Sequence, residues 1–229
     1  MRFRLLFLGA LASLAVGCGS TSKVTESVST TTTQPPVSPK PLPVTVFKVD
    51  NGLLRPTVVR VPHTTAVAAA ALRALGLGAA VSISDGTAKV ALDHATQDQA
   101  AEIVYTLTQF TTVERVDVAG RIGLTRDDFA SYVPPVLVES PGAGAVVPGT
   151  FHVSGTASVF EATLVVQLVR NGTVIAKKTV TASEGAPGRG TFDTTVTATP
   201  GQVTVAAFAP SAADGTPQHE VDVPVTVTR

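Results

Sequence analysis

From Pro134-Pro135 to the C-terminus, apolar and polar residues alternate in short runs separated by clusters of Gly, Pro, Asn or Asp. Alternation places every second side chain on one face, so each run reads as a strand with one buried side. The runs are Val136 to Glu139, Phe151 to Gly155, Leu164 to Val169, Val174 to Val180, Phe192 to Val196, Val203 to Phe208 and Val221 to Val227. About seven short strands with frequent turn signals predict an all-β sandwich of immunoglobulin-like type over 134–229. Asn171-Gly172 predicts a tight hairpin turn. In the last run Val221, Val223, Val225 and Val227 face one way, and Asp222, Pro224 and Thr226 face the other. Pro224 has no N–H to donate, which predicts an edge position for this strand.

The chain has one cysteine, so no intramolecular disulfide can hold it together, and hydrophobic burial has to do so. That cysteine, Cys18, closes a leader. Arg2 and Arg4 precede an apolar run from Leu5 to Val16, too short for a membrane span of about 20 residues and suited to a signal peptide. Leu14-Ala15-Val16-Gly17-Cys18 resembles a bacterial lipobox, with Ala15 where that motif usually has leucine. The resemblance implies a signal over 1–17, removed before Cys18, and a diacylglyceryl group on the Cys18 thiol. The expected location is the extracytoplasmic face of the cell membrane, with Cys18 as the anchor. The alternative is an ordinary secretory signal, which would leave Cys18 as a reactive thiol. Residues 18–42 are rich in Ser, Thr and Pro, with too little apolar surface to form a core, and predict an extended tether. Its threonine run would also suit O-glycosylation.

Residues 43–133 mix the two periodicities. Valines on either side of Asn51-Gly52 predict two strands and a turn, the second strand stopped by Pro62. Thr64 or Thr65 is expected to cap a helix that runs to Leu75 and buries Val67, Ala71, Leu72 and Leu75, with Gly76 and Gly78 beyond its end. Val81 and Ile83, then Ala88, Val90 and Leu92, alternate around Asp85-Gly86 and predict a hairpin. Thr96 is expected to cap a second helix. Its stripe is Ala100, Ile103, Val104, Leu107 and Phe110, spaced to lie against a sheet. Val113, Val116 and Val118 read as another strand. Thr125-Arg126-Asp127-Asp128 has capping-box spacing and predicts a short helical turn. Together these elements predict an α+β layer domain, with helices on one face of a sheet.

The Asp85-Gly86-Thr87-Ala88-Lys89-Val90-Ala91-Leu92 hairpin, the Ile103-Val104-Tyr105-Thr106-Leu107-Thr108-Gln109-Phe110 helix and Val113 with Val116 resemble the GerMN domain of sporulation and spore-germination lipoproteins. The chain departs from that family after the first helix, where Gly78 runs almost directly into Val81. The later motifs Val136-Leu137-Val138-Glu139-Ser140-Pro141, Val153-Ser154-Gly155-Thr156-Ala157, Val159-Phe160-Glu161-Ala162 and Asp214-Gly215 resemble the immunoglobulin-like domain of bacterial spore germination. Leu124-Thr125-Arg126-Asp127-Asp128-Phe129 resembles the connection between the two modules. The resemblances imply a lipoprotein of sporulation or germination, with a GerMN-like α+β domain over 43–133 followed by the sandwich.

Acidic and basic residues balance at 17 each, which argues against a nucleic-acid partner, whose phosphates call for a net basic surface. The four histidines, His63, His94, His152 and His219, show no metal-ligand spacing. Gly142-Ala143-Gly144-Ala145 lies between strands and precedes no helix, so it reads as a loop and not as a nucleotide cradle. No nucleophile elbow is present. No catalytic group, metal or cofactor is therefore expected. Two carboxylates stand out as a possible binding surface with Phe160. Glu161 follows Phe160 at the entry to a strand, where it can meet a ligand or accept backbone N–H bonds, and Asp214 starts an Asp-Gly turn. The expected role is non-enzymatic binding or scaffolding, with envelope proteins or cell-wall polymer as partners. The alternative is a cell-wall-processing enzyme, or its regulator, using Glu161 and Asp214.

Overall fold

The structure, a computed structural model, describes residues 39–229, and these cluster as one unit. Cys18, the signal over 1–17 and the tether as far as residue 38 lie outside the described residues.

Strands β1 (Leu42–Asp50) and β2 (Leu53–Val61) pair as an antiparallel hairpin across Asn51-Gly52. Asn51 and Gly52 both have positive φ, the backbone that a two-residue turn matched to strand twist requires. Helix α1 (Val67–Ala74) buries Ala70, Ala71 and Leu72. The expected threonine cap is absent. Ala66 occupies the N-cap position with no side-chain bond, while the Thr64 hydroxyl accepts from the Ala66 N–H one turn too early to serve the helix. Helix α2 (Gln97–Leu107) has the expected Thr96 cap, with reciprocal bonds between Thr96 and Gln99.

Around α2 the layers differ from a single sheet with helices on one face. Strands β3 (Ala80–Ser84), β4 (Thr87–Ala91), β5 (Arg115–Val118) and β6 (Arg121–Leu124) form one four-stranded sheet, and the β1–β2 hairpin stands apart as a second. β6 was not legible as a strand, because Ala119-Gly120 turns the chain without an Asn or Asp and Gly123 breaks the alternation at a register shift. Val113 is buried before β5 begins and is not part of it. Thr125 starts a 3-10 helix (Arg126–Tyr132), in which the Asp128 carboxylate accepts from the Thr125 N–H at 2.8 Å.

The remaining strands make two facing sheets. One has the order β11-β10-β13-β14-β8 and the other β12-β9-β7, where β7 is Val136–Ser140, β8 Val146–Val147, β9 Thr150–Ala157, β10 Thr163–Arg170, β11 Thr173–Thr181, β12 Gly190–Thr197, β13 Gly201–Pro210 and β14 Pro217–Val227. Their inner faces interdigitate in one core that includes Val138, Phe151, Val166, Leu168, Phe192 and Val225. The described residues are mostly β.

β14 is not the edge strand that Pro224 predicted. The two-residue strand β8 pairs with its end in parallel, and the Pro224 carbonyl accepts the Gly144 N–H at 2.8 Å. Proline is tolerated here because the neighbouring segment offers a donor and does not need one. The Gly142 to Ala145 loop is thereby a seam. On its other side Val58 N–H donates to Ala143 O at 2.8 Å and Ala143 N–H to Pro56 O at 3.1 Å, tying the β2 edge to the sandwich. A Cβ at Gly142 would come within 3.2 Å of the Val58 side chain, so a small residue is needed for that approach.

Candidate functional site

The expected binding residues fall at one end of the sandwich, where three loops meet. Between β9 and β10 the chain makes a one-turn 3-10 helix, Phe160–Ala162. Glu161 and Ala162 both sit in the left-handed region, at φ 53° and 54°. For residues with a Cβ that backbone costs on the order of 1–3 kcal/mol each, and it persists only where neighbours enforce it. The neighbours do so here. Ala162 N–H donates to Val159 O at 3.2 Å, Ala182 N–H to Ala162 O at 2.8 Å and Ala186 N–H to Val159 O at 2.9 Å. A Cβ at Gly185 would stand 2.7 Å from the Ala162 nitrogen, so the β11–β12 loop can close on the turn only as glycine.

The consequence of this constraint is the position of Phe160. Phe160 is 71% exposed, on a turn whose backbone is bonded at two points to the β11–β12 loop. An exposed aromatic on a fixed backbone presents a large apolar contact with little conformational entropy left to lose. Beside it lies a cleft of about 510 Å³, lined by Ser158, Val159 and Phe160, by Ala186, by Ala209 to Ala213 and by Gln218 and His219. His219 has φ 54°, next to the register shift between β13 and β14.

The two carboxylates have different surroundings. Asp214 Oδ1 accepts from the Thr216 N–H at 3.1 Å and the Thr216 hydroxyl at 2.8 Å, closing the β13–β14 loop. Those bonds, the backbone one first, hold its carboxyl below the ordinary aspartate range. Glu161 is exposed, and none of the hydrogen bonds among the described residues involves its carboxylate. Its backbone carbonyl accepts from the Thr163 hydroxyl at 3.1 Å. Asp214 does not line the cleft, but the loop that it closes supplies Ser211, Ala212 and Ala213 to it. His219 and Ser211 were not legible as site residues, because the cleft is assembled from three loops and the flanking ends of β13 and β14, which share no sequence signature.

A larger groove, about 790 Å³, lies where the β1–α2 layer meets β7 and β9. Its charged centre is already committed. Arg126 donates from Nη1 to Glu139 Oε2 and from Nε to Thr108 Oγ1, each at 2.8 Å, with its guanidinium 4.7 Å from the Tyr105 ring centroid and 5.8 Å from that of Phe47. The arrangement is a strut between β7 and α2. Among the described residues no group of three or more His, Cys, Asp or Glu is placed to hold a metal ion, and no helix is long and apolar enough to cross a membrane.

Residues 135–216 match the family model described as the immunoglobulin-like domain of bacterial spore germination. The match agrees with the resemblance seen in the Val136 to Ala162 motifs, covers the strained turn, Phe160 and Asp214, and associates the chain with sporulation and germination proteins. No curated protein matches the chain. Among solved structures, the crystal structure of an engineered protein is similar at 22% identity over 52% of this chain, with a TM-score of 0.32. The chain spans 23% of that protein, and at that score the likeness carries no argument.

Proposed function

We propose that this chain is a lipid-anchored cell-envelope protein, related to sporulation and spore-germination lipoproteins, which binds a protein partner through the Phe160 end of its immunoglobulin-like domain and performs no catalysis. In this reading Cys18 carries the diacylglyceryl group, residues 18–42 are the tether, and the α+β region over 43–133 is of GerMN type. The observation that carries the proposal is the exposed Phe160 ring on an enforced left-handed turn, beside a cleft of matching scale. Strain held in place by surrounding structure is a mark of binding surfaces, and exposed aromatics are the commonest energetic anchors of protein interfaces. The family match over 135–216 supports the sporulation and germination setting.

The test places a photo-crosslinking side chain at position 160 in cells, with position 152 on the exposed sheet face as control. One discrete adduct with an envelope protein, formed from position 160 alone and lost on Cys18→Ala with release from the membrane, is the expected result. Adducts with cell-wall polymer, equal labelling from both positions, or none, would overturn it. Loss of a wall-processing activity in the Glu161→Ala, Asp214→Ala double variant would favour the enzymatic alternative.

A further inference from the structure

Most of the free sheet edges are closed by a recognisable device. The outer edge of β1 is bonded by α2 side chains and that of β2 by Ala143. β11 carries Lys177 and Lys178, and the Lys178 ammonium crosses to the Thr195 carbonyl of β12 at 2.6 Å, guarding two edges at once. β6 is irregular, and its Arg121 is bonded to Gln97 and Ala95. β7 is interrupted by a register shift. β3 has no such device. Ala80-Val81-Ser82-Ile83-Ser84 contains no charge and no proline, and its register with β4 is unbroken.

Asp85 and Gly86 form a two-residue turn with both φ values positive, which makes Ser84 and Thr87 a hydrogen-bonded pair. Alternation along the ladder then turns the N–H and C=O groups of Val81 and Ile83 outward. Among the described residues no backbone bond outside the ladder reaches them. Above this edge lies an apolar furrow of about 290 Å³, walled by Val67 and Ala68, Val81, Ile83 and Phe110, and Ile83 is 41% exposed.

We propose that β3 is a self-association edge, on which two copies of this chain pair antiparallel about a two-fold axis through Ser82. In that register Val81 of one copy stands opposite Ile83 of the other, so the outward groups of both strands are satisfied reciprocally. The apolar stripe reads the same in both directions, and Ser82 meets its own counterpart. Charge also favours a second copy. Neither the edge nor its furrow bears a charged residue, so identical surfaces meet without repulsion, while a charged peptide would find no ion pair. A contact of one short strand and its rim falls below about 1,200 Å², the range of weak complexes, so the dimer forms at high local concentration.

The test uses the full chain with Cys18→Ala, which leaves no other thiol, to which Ser82→Cys or Ser84→Cys is added. Both serines are exposed, so neither change burdens folding. Residues facing each other in a non-hydrogen-bonded antiparallel pair lie about 4.5 Å apart at Cα, within disulfide range. Ser82→Cys is expected to give a covalent dimer on mild oxidation, and Ser84→Cys, opposite Ala80 of the second copy, is not. In sedimentation, Ile83→Pro, which removes one outward donor and spares the β3–β4 bonds, is expected to raise the dimer dissociation constant at least tenfold. Equal yields from the two cysteines, no dimer from Ser82→Cys, or crosslinking of Ser82→Cys to a different protein in a cell extract would overturn the proposal.

Discussion

The hydroxyl of Thr106 on α2 accepts the backbone N–H of Phe47 on β1 at 2.9 Å, across 59 positions of chain. It is one of three such contacts. Glu102 Oε1 accepts the Val49 N–H at 2.8 Å and Gln109 Nε2, just beyond the helix, donates to the Thr45 carbonyl at 2.7 Å, so one face of α2 and the residue that follows its cap take the place of a missing neighbour strand. Thr106 is fully buried, and replacing it by valine leaves the Phe47 N–H without a partner. Thr106→Val is expected to lower unfolding free energy by about 1–3 kcal/mol, and Thr106→Ser to lose much less, as read from urea midpoints. Equal losses would mean that the methyl group, not the hydroxyl, matters.

Burial holds the Glu102 carboxyl above its ordinary range, against the opposing pull of the Val49 N–H. A carboxyl whose folded pKa is raised contributes stability that is complete below the unfolded value, about 4.3, and is lost as pH rises through the folded value. Glu102→Gln keeps an acceptor for Val49 and removes the charge. It is expected to be more stable than the native chain at pH 7 and indistinguishable from it near pH 4, in paired denaturation curves. The same gain at both pH values would contradict the sign.

At Gly155 a Cβ would fall inside the Leu137 carbonyl oxygen, because β9 and β7 approach closely next to the register shift at Val138 and Ser140. Gly155→Ala is expected to cost more than about 3 kcal/mol or to prevent folding. Gly78→Ala, with nothing within 4 Å of its Cβ, should stay within about 0.5 kcal/mol. Thermal midpoints of the two variants make the comparison.

Arg126 and Glu139 form an ion pair at 2.8 Å, with both side chains mostly shielded. A double-mutant cycle of Arg126→Met and Glu139→Gln should return a coupling above the 0–1 kcal/mol typical of exposed pairs, on the order of 1–3 kcal/mol. The same cycle on Arg55 and Asp50, paired at 3.2 Å on the surface, should return about 0.5 kcal/mol or less. Similar couplings would deny the strut its role.

The elements legible from sequence were those decided locally. Asn51-Gly52, Asp85-Gly86 and Asn171-Gly172 require positive φ, which Asn, Asp and Gly adopt at little cost, and each turn stands where its residues predicted it. The 3.6-residue stripe of α2 and the two-residue alternation of the sandwich strands were legible for the same reason, since periodicity records which face will be buried.

What the tertiary structure decided was how those elements meet. No residue near Pro224 says that β8 will cover β14, nor does Gly142 to Ala145 announce itself as a seam between β2 and β14. Thr106 and Glu102 on α2, and Gln109 just beyond it, find their partners only once β1 lies against them. The site at the sandwich end has the same origin. Phe160 was visible in the sequence as an aromatic before a strand, but its exposure depends on Gly185 closing beneath Ala162 and on the Ala186 to Val159 bond. These are bonds between residues far apart in the chain. Sequence determines which groups need partners, and only the packed chain determines which partners they find.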